Sequence, residues 1–384
     1  MSGLRTLVLT NLFPNPLQPH RATFNRQQFG ALARRQPVEV IAPVAWVDEV
    51  RLRVKAGGRL PARRRGAVDG IPVEYPRYLY PPLVCRHWYG HFFRASVRFA
   101  FWRAVRRFRP EVVLAAWAYP DGWGAVELGR QAGLPVVVKV HGSDVLELPL
   151  HPGRRARTAD ALCRADGVVA VSRHLAVRVA ELGVDPQRIR VIYDGVDGAA
   201  FRAGDRDKAR ARLGLPAGRH ALCVANLVPV KGHAVLLDAL ARLKARGAEV
   251  TCHLIGDGPL RSALAARAAE LGLGDSVRLV GAVAHERLPD WFRAADVFVL
   301  ASRSEGVPCV LLEALACGTP FVASAVGGIP EIAHLGLSAL VPPGDAGRLA
   351  DEVGRALAAP PPRPPVSPVR GHAAAAAELA SFLA

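Results

Sequence analysis

The sequence predicts an α/β protein made of two doubly wound, parallel-sheet domains. Three observations carry that expectation. Short β-branched runs alternate with longer helical stretches in two consecutive series. The runs are apolar almost throughout, as strands are when helices cover both faces of a sheet. Between the two series, residues 195–214 replace the apolar pattern with Gly, Asp and Arg. At 384 residues the chain has room for two domains. A chain of that size buries about three quarters of its unfolded surface and needs no disulfide or metal staple.

Residues 4–10 (LRTLVLT), 38–42, 111–116, 136–141 (VVVKVH) and 168–171 read as buried strands of the first series. Residues 221–225, 250–255, 277–280, 297–300 and 321–323 read as strands of the second, with helices over 233–246, 260–271 and 310–317 between them. The boundaries this sets are 1–198 for the first domain, 199–350 for the second, and 351–384 for a Pro-rich linker and short helix. Six prolines in the nine residues 360–368 (PPPRPPVSP) favour an extended linker. Ligands of such sheets bind beyond the carboxyl ends of the strands, so a cleft between two facing domains is the expected site.

Composition narrows the function. Apolar residues make up 51% and charged residues 22%, which excludes disorder. The net charge of +17 is concentrated: residues 1–198 hold 30 basic and 16 acidic side chains. The first domain therefore asks for an anionic partner. Nucleic acid is disfavoured, because no zinc finger, RNP-type motif or recognition helix stands out. The six cysteines lack C-x-x-C spacing and sit mostly in apolar runs, as in a reducing compartment. No signal-peptide pattern follows the first methionine, and no window approaches 18 apolar residues. A cytoplasmic protein, peripheral on the inner membrane face, is the expectation.

Residues 86–109 add seven arginines and eight aromatics. At ~100° per residue, Trp88, Phe92, Phe99 and Trp102 share one helical face. With four further arginines at 59–65, this face suits either an anionic membrane or packing against the sheet. His87 and His91 have a loosely metal-like spacing, but as flanks of aromatic residues they read as surface histidines, and no metal site is expected.

The segment 302–331, SRSEGVPCVLLEALACGTPFVASAVGGIPE, is the richest in chemistry. Glu305 opens a loop after a strand, and Glu313 lies about two turns into the next helix. A carboxylate at a strand's end can accept sugar hydroxyls, and one in the helix can reach a ribose. The helix N-terminus near Val307 to Val310 offers N–H groups to a diphosphate.

This segment resembles the signature block of glycosyltransferase family 4, whose members are retaining enzymes of the GT-B fold, with two Rossmann-like domains. The resemblance runs from about residue 10 to 343 and includes HGSD (141–144), YDGVD (193–197), VPVKGHAVLLDAL (228–240), GDGP (256–259) and GGIPE (327–331). The loop NLFPNPLQPHRATFNRQQ (11–28) is similar to the branch acting in exopolysaccharide or teichuronic-type polymer synthesis. The resemblance implies a donor of the UDP- or GDP-sugar type, a glycan or polyprenyl-linked acceptor, no cofactor and metal-independent transfer. It implies that Lys231 neutralises the diphosphate, Glu313 binds the ribose, Glu305 binds the transferred sugar, and His141 approaches that sugar. The backbone of Gly306, Val307, Pro308 and Cys309 would hold the phosphates, and Gly256 and Gly258 would turn beside the nucleotide.

Three positions depart from the family pattern. Asn226 stands where an arginine is usual, Ala22 where a glycine faces the phosphates, and Asp194 where asparagine is more common. Arg21 is a candidate to restore the missing charge. The alternative these departures leave open is a degenerate member serving as a non-catalytic partner subunit. Epimerase, phosphorylase and paired-carboxylate hydrolase readings fit the block less well.

Overall fold

Alternation along each central strand explains the first sheet. In the computed structural model, which describes residues 3–56, 64–147, 150–333, 338–358 and 369–384, the strands of the first unit are β1 (Thr6–Leu9), β2 (Val38–Ile41), β3 (Val44–Ala45), β4 (Arg65–Val68), β5 (Ile71–Glu74), β6 (Arg77–Tyr78), β7 (Val112–Ala115), β8 (Val136–Val140), β9 (Gly167–Ala170) and β10 (Ile189–Val191). Eight of them form one sheet in the order β10-β9-β8-β7-β1-β2-β5-β4, with β3 and β6 paired separately. Leu7, Leu9, Val113 and Ala115 enter the core on one face, under helices Tyr89–Phe108 and Trp123–Ala132. Val8, Val112 and Leu114 enter the other, beside helix Thr23–Ala33. Both faces are dry, as the apolar strands require.

All pairings in this sheet are parallel except the hairpin β4–β5 at its edge. Asp69 and Gly70 turn that hairpin with φ of +51° and +82°, a mirror-image turn for which Asp-Gly is favoured.

The second unit, Gly195–Gly371, contains β11 (His220–Val224), β12 (Thr251–Ile255), β13 (Val277–Gly281), β14 (Val297–Leu300), β15 (Phe321–Ser324) and β16 (Ser338–Val341). They form a wholly parallel sheet in the order β13-β12-β11-β14-β15-β16. Two doubly wound sheets are therefore present, the first with an antiparallel edge.

Each sheet reverses its winding once. Chain order runs from β1 outward to β2, then returns to β7 on β1's other side. It likewise runs from β11 to β12 and β13, then returns to β14 on β11's other side. The crevices at β1/β7 and β11/β14 are the topological switch points, where such sheets bind ligands.

The carboxyl-terminal segment differs from the expected linker. Residues 351–358 complete helix Ala346–Ala358, whose Leu349, Ala350, Val353 and Leu357 are buried in the second unit. The proline-rich stretch 360–368 lies outside the described residues. Helix His372–Leu383 then belongs to the first unit. Its Ala376, Leu379 and Leu383 join the core beside helix Thr23–Ala33, because its alanines allow close approach.

A second correction concerns helix Tyr89–Phe108. It buries Phe93, Val97, Ala100, Phe101 and Ala104, leaving Trp88 and Phe99 exposed. Two phenylalanines and three small or β-branched residues fit the flat sheet better than two tryptophans. His91 is not on the surface either: it lies half-buried between Trp88 and Trp123, at ring-centroid distances of 5.0 and 4.4 Å. Of the arginine-rich 59–65 loop, residues 59–63 lie outside the described residues.

Candidate functional site

In the second unit, the loops leaving β11, β12, β14 and β15 are joined by backbone hydrogen bonds. Leu227 N–H donates to Asp257 O (3.0 Å), Arg303 N–H to Val230 O (2.8 Å) and Gly328 N–H to Gly306 O (2.7 Å). Gly256 and Gly327 permit this closeness. A Cβ on Gly256 would stand 2.0 Å from Ala225 O, and one on Gly327 1.8 Å from Glu305 O. Both adopt positive φ, +137° and +56°, open to glycine at little cost. Gly258 approaches Leu227 in the same way. The glycines of GDGP and GGIPE thus pack one loop against the next.

Lys231 and Glu305 meet at the β11/β14 switch point. Lys231 lies in the turn Pro229–Lys231 after β11, and Glu305 in the loop after β14. The lysine Nζ donates to Glu305 Oε1 at 2.7 Å. The two residues expected to bind different parts of one ligand are thus bonded to each other. Asn226, exposed in the same β11 loop, accepts Val228 N–H on its backbone carbonyl. Two buried polar side chains sit nearby: Ser302, and His233, whose pKa burial and then Lys231 hold down to about 4. Among the described residues, Ser302 Oγ and both ring nitrogens of His233 have no hydrogen-bond partner.

Helix Cys309–Ala316 begins after Pro308 with no side chain capping its N-terminus. Val307 is buried and Cys309 half-buried at this helix start. Glu313 is the fifth residue of this helix, just over one turn in rather than two. Its Oε1 accepts from His285 Nε2 at 2.7 Å, while Oε2 is buried without a partner among the described residues. His285 is a member of this candidate site that sequence reasoning missed. Burial works against its charge, but the Glu313 hydrogen bond and carboxylate outweigh it and raise its pKa above the ordinary value. Phe201 packs on the ring at 4.9 Å. The signal was a lone histidine 28 residues before the glutamate, which only the fold brings next to it.

In the first unit, two buried carboxylates tie together the loops leaving β1, β7 and β8. Asp121 accepts from Thr10 Oγ1 (3.1 Å), Asn11 N–H (2.6 Å) and Asn11 Nδ2 (2.7 Å), joining the first two across the β1/β7 switch point. Burial raises its pKa to about 7 against those donors. Asp144 accepts from His141 N–H (3.0 Å), Gly142 N–H (2.9 Å) and Ala118 N–H (3.1 Å), joining the β8 loop to the β7 loop. His141 is thereby fixed just beyond β8. Its ring lies against Phe24 (4.9 Å) and Trp117 (6.5 Å), and burial with Lys139 nearby drives its pKa down to about 3, so it is neutral.

Arg21 does not reach out of its loop. Its guanidinium is spent on Asn11 O (2.8 Å), Gln18 Oε1 (2.7 Å) and Asn11 Oδ1 (3.3 Å). Ala22 adopts the left-handed conformation, φ 49° and ψ 55°, immediately before helix Thr23–Ala33. A glycine there would hold that shape without strain. Asp194 has an explanation unrelated to phosphates. It accepts from Lys139 Nζ at 2.7 Å, and Lys139 is fully buried in β8 with Gln28 as its other partner.

The sites of the two units are those of a GT-B protein. The first unit matches the model described as Glycosyltransferase Family 4 over residues 29–199, and the second that described as Glycosyl transferases group 1 over residues 218–359. TuaC of Bacillus subtilis strain 168, named as a teichuronic acid biosynthesis glycosyltransferase, is 30% identical over 92% of this chain and 89% of its own. The chain belongs to glycosyltransferase family 4.

Among other relatives, the D-inositol 3-phosphate glycosyltransferase 1 of Catenulispora acidiphila is 35% identical over 62% of this chain. That match spans 61% of the relative's own length. Of solved structures, Anabaena HepE in complex with UDP superposes with a TM-score of 0.70 at 21% identity, over 99% of this chain and 95% of that one. Sucrose-phosphate synthase of Thermosynechococcus elongatus gives 0.74 at 23% identity, over 98% and 94%. At that identity they show the fold.

Proposed function

We propose that this chain is a retaining glycosyltransferase that moves a sugar from a nucleoside-diphosphate sugar of the UDP or GDP type to a polysaccharide or lipid-linked acceptor in cell-surface glycan synthesis. The observation that carries the proposal is the Lys231–Glu305 pair at a topological switch point, beside an uncapped helix N-terminus. Glu313, with one oxygen held by His285 and the other unsatisfied, suits a pair of ribose hydroxyls. The names of TuaC and of the structural neighbour in complex with UDP agree with this donor and acceptor class.

Lys231 leaves Glu305 when the diphosphate arrives, freeing the carboxylate for the hydroxyls of the transferred sugar. As the glycosidic bond breaks, charge grows on the departing diphosphate. Lys231 and the N–H groups of Gly306, Val307 and Cys309 stabilise it there, where it counts most. The leaving diphosphate takes the acceptor's proton on the same face of the sugar, giving retention without a separate base. His141, neutral and fixed by Asp144, contributes a ring nitrogen to the sugar rather than a charge.

Isothermal titration with UDP, GDP and ADP, repeated on Lys231→Ala and Glu313→Ala, tests this. Micromolar binding of one nucleotide, lost in both variants, supports the donor site and names its base. Binding of none of the three overturns it in favour of a partner subunit that has lost donor binding.

A further inference from the structure

The first unit carries a group of arginines that the donor chemistry does not use. The turn Arg86–Trp88 packs directly on the start of helix Pro152–Arg164, where a Cβ on Gly153 would stand 3.2 Å from His87 Cβ. That contact brings Arg86 within electrostatic reach of Arg154, and Arg155 and Arg157 follow on the same helix. Arg154 is half-buried, and its pKa is lowered by burial and then by the charge of Arg86. Arg157 lies over the Trp123 ring at 5.7 Å. Among the described residues none of these four arginines has a carboxylate within 4 Å, whereas Arg164 at the far end of the same helix has two.

Like charges gathered without counter-charge destabilise a fold. Arg154 and Arg155 also stand in the first turn of a helix, the end where cations are disfavoured. The Trp123 ring under Arg157 offsets only part of this, so the group reads as a site kept for an anion. Its position says which one. Tyr119 hydroxyl accepts Gly90 N–H at 2.8 Å and lies within electrostatic reach of Arg154 and Arg157. Tyr119 belongs to the loop after β7 that Asp144 fastens to His141. The arginines therefore border the His141 side of the first unit. Leu83, Val84 and Trp88, which are 77%, 58% and 47% exposed, flank Arg86 with apolar surface.

We propose that Arg86, Arg154 and Arg157 bind a phosphoryl group carried by the acceptor. The proposal rests on the glycosyltransferase reading and adds what the acceptor must contain. Two sources share that chemistry, a soluble sugar phosphate and a lipid-linked phosphate or diphosphate. Guanidinium groups suit either, because their fork of donors matches phosphate oxygens.

The test titrates the protein, with UDP present in excess to fill the donor site, with inositol 1-phosphate, farnesyl diphosphate and inorganic pyrophosphate. At least one is expected to bind, with affinity falling about tenfold or more in Arg86→Gln and in Arg154→Gln. UDP affinity stays unchanged. Without phosphate, neither variant melts lower than the wild type, because each loses repulsion and no ion pair. Preference for inositol 1-phosphate assigns a soluble acceptor, preference for farnesyl diphosphate a lipid-linked one, and equal binding a site that reads the phosphoryl group alone. Binding that both variants retain in full, or no binding by the wild type at millimolar concentration, overturns the proposal. Should none of UDP, GDP and ADP bind, the donor reading falls separately, and the same titrations without nucleotide still judge the arginines. If Arg154→Gln does not fold, the exposed Arg86 carries the comparison.

Discussion

Asp194→Asn should destabilise the first unit sharply, and a second change should restore it. Lys139 is fully buried in β8, and Asp194 is its carboxylate partner at 2.7 Å. Burial acts to raise the Asp194 pKa, but the lysine's charge and hydrogen bond more than offset it, so the carboxyl ionises below its ordinary range. The carboxylate's contribution is therefore fully present above the ordinary aspartate range and fades only as acid protonates Asp194. Asparagine keeps the shape and removes the charge, leaving an ammonium in the core with Gln28 as its remaining partner.

Breaking a buried pair from one side costs about 3–5 kcal/mol, while replacing both members is close to neutral. Asp194→Asn should thus lower the melting temperature by roughly 10 °C for a unit of this size. Lys139→Met combined with Asp194→Asn should recover most of it. Calorimetric or circular-dichroism melts of the two single variants and the double give the coupling. A single-variant loss below about 1 kcal/mol, or a double variant that merely sums the singles, would refute the reasoning.

Other expectations follow from the second unit. Gly327→Ala places a Cβ 1.8 Å from Glu305 O at positive φ, so it should cost about 2 kcal/mol or more and abolish nucleotide binding by displacing Glu305; titration with UDP checks it. His285→Ala should weaken UDP binding about tenfold by freeing Glu313, while His285→Gln, which keeps an N–H donor, recovers most of that loss. The wild-type affinity should also decline with rising pH as His285 loses its proton above its ordinary range, a dependence absent from His285→Gln. His253 has a pKa pushed down to about 4 by burial and then by His220, whose Nδ1 lies 3.1 Å from its Nε2. The unfolded chain protonates near 6.5, so stability is full above that and falls as pH drops toward 4, by about 3 kcal/mol. Urea unfolding between pH 7 and 4 should show that slope, and His253→Gln should flatten it.

Much of this architecture is legible in the sequence, because fully buried parallel strands must be apolar almost throughout, Lys139 of β8 being held by its partners. The runs 112–115, 136–140, 297–300 and 321–324 announce themselves for that reason. Edge strands other than β13 do not. β10 and β16 are short and partly exposed, and β4 reads RGAV, so nothing forces an apolar run on them. The hairpin between β4 and β5 is missing from the strand reading above, because its one signal is the turn pair Asp69-Gly70, which strand hydropathy does not register. The destination of helix His372–Leu383 was not legible. An alanine-rich helix packs wherever a close-fitting groove is offered, and its sequence does not say which sheet supplies one.

The site divides the same way. Glu305, Glu313 and Lys231 stand in motifs whose glycines and helix start could be read directly. Their partners come from distant positions: Lys231 lies 74 residues from Glu305 and His285 28 residues from Glu313. Arg21 and Asp194 show the opposite failure. Each carries charge near a motif, and each is occupied within the first unit, by Asn11 and Gln18 in one case and by Lys139 in the other.

The distribution of charge then acquires a physical reason. In the second unit, Lys231 and His285 are each paired with a carboxylate. Under the proposed function a donor diphosphate would compete with Glu305 for its lysine, which would favour release once transfer has occurred. Arg86, Arg154, Arg155 and Arg157 of the first unit have no such counter-charge among the described residues. Their excess accounts for part of why residues 1–198 hold 30 basic and 16 acidic side chains. An uncharged glycan acceptor would give those arginines no role. A phosphate on the acceptor would neutralise them, and would fix the acceptor's orientation by a group that takes no part in the bond being made.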